Sequence, residues 1–272
     1  MSFFYDFSDT RASLNTIALI EFLESRGIAK YINADDSCLL VKVSGRKVRM
    51  LSERDIITYI FSYVTVYPFE NEIHRTVVHK ALSKDVSLIM KSLGHWLKET
   101  KLSFIKDTSD SSFFFFRNCI VKVTKDTITK YRYSEIEGHI WETDIKDHLF
   151  LMDQPYHELD PKGDFHRFIN YVSSGIMGVE NIFSVLGYCL HRYKDPSFPK
   201  AVIFYDSNVQ DPNVSKLAQI DGGSGKSLLC DACGKIRRMV KENGKSGDML
   251  KTFFLSRITN ETRLLFVDDV KK

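Results

Sequence analysis

Seven residues near the end of the chain, Asp221-Gly222-Gly223-Ser224-Gly225-Lys226-Ser227, have the types and spacing of a phosphate cradle. Glycines let successive backbone N–H groups turn toward an anion. A lysine at position 226 reaches the terminal phosphates of a nucleotide, and the neighbouring Ser227 hydroxyl is a ligand for Mg²⁺. A second run, Leu264-Leu265-Phe266-Val267-Asp268-Asp269, supplies the complementary chemistry. Four apolar residues predict a buried parallel strand whose end delivers two carboxylates to the cation. The glycine that opens the usual cradle pattern is replaced by Ile220, so the entry to the loop takes a different path while the phosphate-facing end is intact.

The elements that must position these groups follow from pattern. A helix is expected directly after Ser227, and Lys200–Tyr205 reads as the first strand of a nucleotide-binding sheet, set off by Asp195-Pro196 and Phe198-Pro199. Helices are predicted at Asp164–Ser173 and Gly178–Tyr193. The stretch from Asp206 to Ile220 reads as a long loop. Pro155 and the run Asp160-Pro161-Lys162-Gly163 mark a boundary.

Further upstream, residues 12 to 26 read as an amphipathic helix ending at Gly27. Cys38–Val43 and Lys47–Leu51 form a predicted hairpin, and Ser52 with Asp55 makes a capping-box start for the next helix. Two more helices are expected at about 71–83 and 85–98. Phe113–Phe116, Cys119–Thr124 and Thr127–Tyr133 suggest a small meander. Its four phenylalanines read as a buried strand before a stacking platform for bases. The resulting organisation is a mixed α+β accessory domain (1–153), a helical linker region (154–199) and a core with parallel strands (200–272).

Composition narrows the class. Hydrophobic content of 43% with 27% charged residues is that of a globular chain, and a net charge of +3 gives no global pull on nucleic acid. Two local clusters could meet a phosphate backbone, Lys42, Arg46, Lys47 and Arg49, and Lys235, Arg237, Arg238, Lys241 and Lys245. A solvated face is the plainer account of each. With no apolar run of spanning length and no signal-like N-terminus, a cytoplasmic protein without a membrane partner is expected. Five scattered cysteines fit reduced thiols. Cys230 and Cys233 fall on one helix face, where burial against the sheet is favoured over zinc or redox chemistry, and no structural metal is expected.

Together the two motifs read as a P-loop NTPase. With four stretches taken in chain order, the C-terminal part resembles a superfamily 3 helicase core of the phage, plasmid and poxvirus-type primase-helicases. These are Leu186–Tyr193, Lys200–Ile203, the GGSGKSLL run from Gly222, and LLFVDDV from Leu264. The resemblance spans roughly residues 160 to 270 and implies an α/β, AAA+-like core that binds ATP with Mg²⁺ and works on DNA as a homo-oligomeric ring. It implies that Gly222, Gly223, Ser224, Gly225, Lys226, Ser227 and Leu228 hold the nucleotide. It further implies that Ser227 and Asp268 hold the metal and that Asp269 polarises the attacking water, with Lys226 on the transferred phosphate. Family members continue past the second acidic motif into a sensor strand and an arginine finger, whereas this sequence stops at Lys272. An N-terminal fragment with ATP binding and little turnover is therefore the expectation. The competing reading is a non-enzymatic replication adaptor with a vestigial nucleotide site. A small-molecule kinase fits less well, because such enzymes carry the loop near their N-terminus.

Overall fold

Asn15, Ser52 and Asn71 each begin a helix by accepting a backbone N–H with the side chain, from Ala18 at 3.1 Å, Asp55 at 3.2 Å and His74 at 2.8 Å. Asp55 returns the contact to the Ser52 backbone at 2.8 Å, which completes the predicted capping box. The computed structural model describes residues 3–33, 36–151, 163–173, 178–197, 200–204, 225–244, 255–259, 261–268 and 270. They form a mixed α+β chain with both parallel and antiparallel pairing. Contacts divide it into two compact units, 1–104 with 138–142, and 105–137 with 143–272.

In the first unit, β1 (Tyr5–Phe7) pairs antiparallel with β2 (Ala12–Leu14), ahead of α1 (Thr16–Ser25). The helix expected from residue 12 therefore starts four residues later. Asn15 caps it, and the residues before Asn15 spend their backbone groups on the β1 ladder. Gly27, at φ 77°, turns the chain out of α1, and a Cβ there would lie 2.3 Å from the Val43 carbonyl oxygen. There follow β3 (Ile28–Ile32), β4 (Cys38–Ser44), β5 (Lys47–Met50), α2 (Glu53–Val66) and α3 (Glu72–Trp96). The expected β4–β5 hairpin is present. The two helices expected between 71 and 98 are one, because neither glycine nor proline interrupts residues 83 to 85 and the Ser83 hydroxyl bonds back to the His79 carbonyl at 2.9 Å.

Ile56, Ile60 and Val64 form a fully buried stripe along α2 that packs with Phe4, Phe22 and Leu82 into the core of this unit. The two tryptophans of the chain both belong here. Trp96 ends α3, and Trp141 lies in β9 (Ile140–Trp141), which adds in parallel to β5.

The second unit contains the predicted meander, β6 (Ser111–Phe116), β7 (Ile120–Thr124) and β8 (Ile128–Tyr131). On its other edge β6 pairs in parallel with β10 (Ile145–Lys146), so the phenylalanine run is an interior strand, with Phe115 and Phe116 buried. Next come α4 (Asp164–Val172), α5 (Val179–Leu190), α6 (Lys226–Ile236), β11 (Met239–Asn243) and β12 (Leu264–Asp268). β11 and β12 pair in parallel, in register from Met239↔Leu264 to Asn243↔Asp268. Ile169 of α4, Ile182 and Leu186 of α5, and Leu229 and Cys233 of α6 form one core, with Leu264 of β12 against it.

Residues 200–204 do not form the expected strand. The Tyr188 hydroxyl donates to the Lys200 carbonyl at 3.1 Å and accepts the Lys200 N–H at 3.2 Å, and Ile203 is exposed. The boundary expected at Pro155 and 160–162 and the loop expected over 206–220 lie outside the described residues.

Candidate functional site

Helix α6 starts where the glycine run ends. Gly225 takes the left-handed conformation at φ 85°, and a Cβ on it would come within 2.7 Å of the Phe168 ring and 3.0 Å of Val172. Only glycine fits that backbone beside that wall without displacing it. Lys226 is the first helical residue and is half-buried. Ser227 follows, half-buried, and Leu228 is exposed. The first-turn N–H groups of a helix have no intrahelical partners and, with the helix dipole, make the start of α6 an anion-binding end; Gly222, Gly223 and Ser224 lie outside the described residues.

The second motif arrives at the same place from a distance of 41 residues. The Ser227 hydroxyl donates to Asp268, with both carboxylate oxygens at 3.3 Å, at the end of β12. The strand is parallel, as expected, but it is not the buried strand its apolar run predicts: Leu265 is exposed and the other residues are half-buried. Two hard oxygen donors of this kind suit Mg²⁺. Adjacent ligands on an octahedral ion with bonds of about 2.1 Å sit about 3 Å apart, close to the observed separation, so Ser227 and Asp268 fit one cation. Asp269 lies outside the described residues.

Two charged groups at this point have no counterpart in the two motifs. Asp231 is one turn beyond Ser227 on α6, and Lys241 lies on β11 two residues before Asn243, the partner of Asp268. Strand alternation puts Lys241 on the same side as Asp268. Its ammonium is 3.2 Å from Asp268 Oδ2 and 3.6 Å from Asp231 Oδ1, and it lies over the Phe266 ring at 5.1 Å. The hydrogen bond to Asp268 holds the Lys241 ammonium above its ordinary range. The i, i+4 spacing of Ser227 and Asp231 was a readable signal; the strand register that brings Lys241 to them was not.

Behind the site, a buried ionic network holds the far end of α6. The Arg237 guanidinium donates to the Leu190 carbonyl at 2.8 Å, the Phe113 carbonyl at 2.7 Å, Ser112 Oγ at 2.9 Å and Asp107 Oδ2 at 3.1 Å, and it lies 4.1 Å from the Phe114 ring centre. Its side chain is 4% exposed and that of Asp107 is 1% exposed. Burial pushes Arg237 below its ordinary range, against the pull of Asp107. Asp107 also accepts the Ser112 hydroxyl, the Phe113 N–H at 2.9 Å and the Arg192 N–H at 2.9 Å. Asp144 receives Arg263 through Nε at 3.0 Å and Nη2 at 2.9 Å, and Arg192 at 3.2 Å.

This network corrects the reading of the second basic cluster as a solvated or nucleic-acid-facing surface. Arg237 is an interior residue, Arg238 pairs with Glu261, and Lys241 faces two carboxylates. Lys235 is exposed, and Lys245 lies outside the described residues.

Cys233 lies in the α4–α5–α6 core as expected, while Cys230 is half-buried. Burial pushes their thiols up to about 11 and about 12, so neither is a thiolate at neutral pH. Among the described residues no three His, Cys, Asp or Glu side chains converge on a metal-sized site, and no helix is long and apolar enough to cross a membrane. Neither the models of known protein families nor the curated proteins contain a match to this chain.

Proposed function

We propose that the chain binds ATP with Mg²⁺ at the head of α6, as the nucleotide site of a superfamily 3-type DNA helicase core. The observation that carries this is the bond from Ser227 to Asp268. It joins the ends of two motifs that sequence alone could only place 41 residues apart. In this reading Gly222–Leu228 wrap the phosphates and Lys226 neutralises the β and γ groups. Ser227 and Asp268 hold the cation, which supplies charge neutralisation on the phosphates, and Asp269 orients the attacking water. Phosphoryl transfer needs little else from the protein, because its barrier is lowered mainly by positioning and by fixed charge.

Calorimetry with ATP and Mg²⁺ tests the binding step. Micromolar-range binding by the native chain and its loss in Lys226→Ala are the expected outcome, and equal affinity in the two proteins would refute the site. Phosphate release with and without single-stranded DNA then tests the helicase assignment. Turnover that rises with DNA and vanishes in Asp269→Ala supports it.

A further inference from the structure

Lys241 puts a positive charge against the carboxylate assigned to the cation. Its ammonium is 3.2 Å from Asp268 Oδ2, while Asp231 Oδ1 lies 3.6 Å away on the facing helix. Lysine carries three donors on a flexible stem, so the ammonium can shift its weight between the two carboxylates with small torsional changes. A divalent cation on Asp268 and a full charge on the same oxygen repel each other strongly at such separations, and the groups are open enough to water for the repulsion to be moderate rather than prohibitive.

We propose that Lys241 is a rival of the divalent cation for Asp268, and that Asp231 is the site to which its ammonium retreats when the cation binds. The pair would then set the concentration of divalent cation at which the site loads. This inference rests on the reading of Ser227 and Asp268 as cation ligands. It assigns Lys241 and Asp231 a positioning role, acting through Asp268 on the cation.

The test is a titration of the full chain with Mn²⁺, following free Mn²⁺ by electron paramagnetic resonance, for the native chain and four variants. Lys241→Met should lower the half-saturating Mn²⁺ concentration about three- to tenfold, from the loss of one unit charge partly screened by water and salt. Asp231→Asn removes the place of retreat and should raise it about twofold or more. Lys241→Arg should stay near the native value, and Asp268→Asn should abolish the response. A residue that merely ties strand to helix would change thermal stability without moving Mn²⁺ affinity in opposite directions. Exposed pairs of this kind add little to stability, so the variants are expected to fold.

Equal Mn²⁺ affinity in the native chain and Lys241→Met would overturn the proposal, as would binding indifferent to Asp268→Asn. ADP binding measured without divalent cation adds a further arm. Weaker ADP binding by Lys241→Met there would make the ammonium a phosphate ligand and would also overturn the rivalry. If the native chain binds no ADP under any condition, the nucleotide reading fails, and the Mn²⁺ titration still decides the role of Lys241.

Discussion

Gly225 answers to two independent constraints, a left-handed backbone and a close wall formed by Phe168 and Val172. An alanine there would meet both. The backbone term alone is about 1–2 kcal/mol, and the added methyl must also move an aromatic ring that packs against the core of α4, α5 and α6. Gly225→Ala should therefore lose roughly 1–3 kcal/mol of stability in denaturant unfolding and weaken nucleotide binding, since the first N–H groups of α6 would be displaced. Adding Phe168→Leu should return part of the stability loss by making room. A Gly225→Ala protein as stable as the native chain, with the same nucleotide affinity, would show that the wall does not shape the loop.

At the scale of elements, α6 is held at both ends, by the Phe168 wall at its start and by Arg237 just past its last turn. The second hold is long-range: Arg237 reaches Asp107 across 130 residues of sequence and Phe113 across 124. Removing one partner of a buried ion pair strands the other charge in a poorly hydrated place, at a cost of about 3–5 kcal/mol. Asp107→Ala should show a loss of that size in denaturant unfolding, and Asp107→Asn a smaller one because its single amide oxygen can take the place of Oδ2, which accepts from Ser112, the Arg192 N–H and Arg237, at the cost of the acceptor for the Phe113 N–H. A loss below about 1 kcal/mol, the range of exposed pairs, would mean that water reaches Arg237.

The same contacts mark what the sequence could and could not disclose. The β4–β5 hairpin, the Ser52 cap, the meander and the parallel strand ending in Asp268 are local patterns, written within a few residues, and they form where read, although that last strand is half-buried rather than buried. Asn15 was a readable start signal for α1, overshadowed by the apolar spacing that runs on upstream of it. Strands β9 and β10 have two residues each, too short for any periodicity, and they exist only because a distant strand offers an edge. β11, which carries Lys241 to the site, mixes apolar and charged residues without clear alternation. Its register is set by β12 across the sheet and by nothing in its own sequence.

On the scale of the whole molecule, contacts place the meander with the unit that carries the candidate site, while the hairpin and the long helix α3 belong to the other unit. The mixed α+β character was readable from the succession of patterns. The return of residues 138–142 to the first unit was not, because it depends on β9 finding β5.

The placement of Trp96 and Trp141 turns that division into a spectroscopic tool. Both indoles sit in the first unit, so tryptophan emission reports that unit alone, whereas far-ultraviolet circular dichroism reads the helices of both. A ligand stabilises what it binds, by about 2.7 kcal/mol when present at a hundredfold excess over Kd. ATP with Mg²⁺ should thus delay the thermal loss of dichroism from the second unit and leave the emission transition where it was, and Lys226→Ala should erase the difference. A nucleotide-dependent shift of the emission transition alone would place binding in the first unit and away from α6. The natural distribution of two indole rings lets an unmodified, unlabelled chain report which half of itself a nucleotide has engaged.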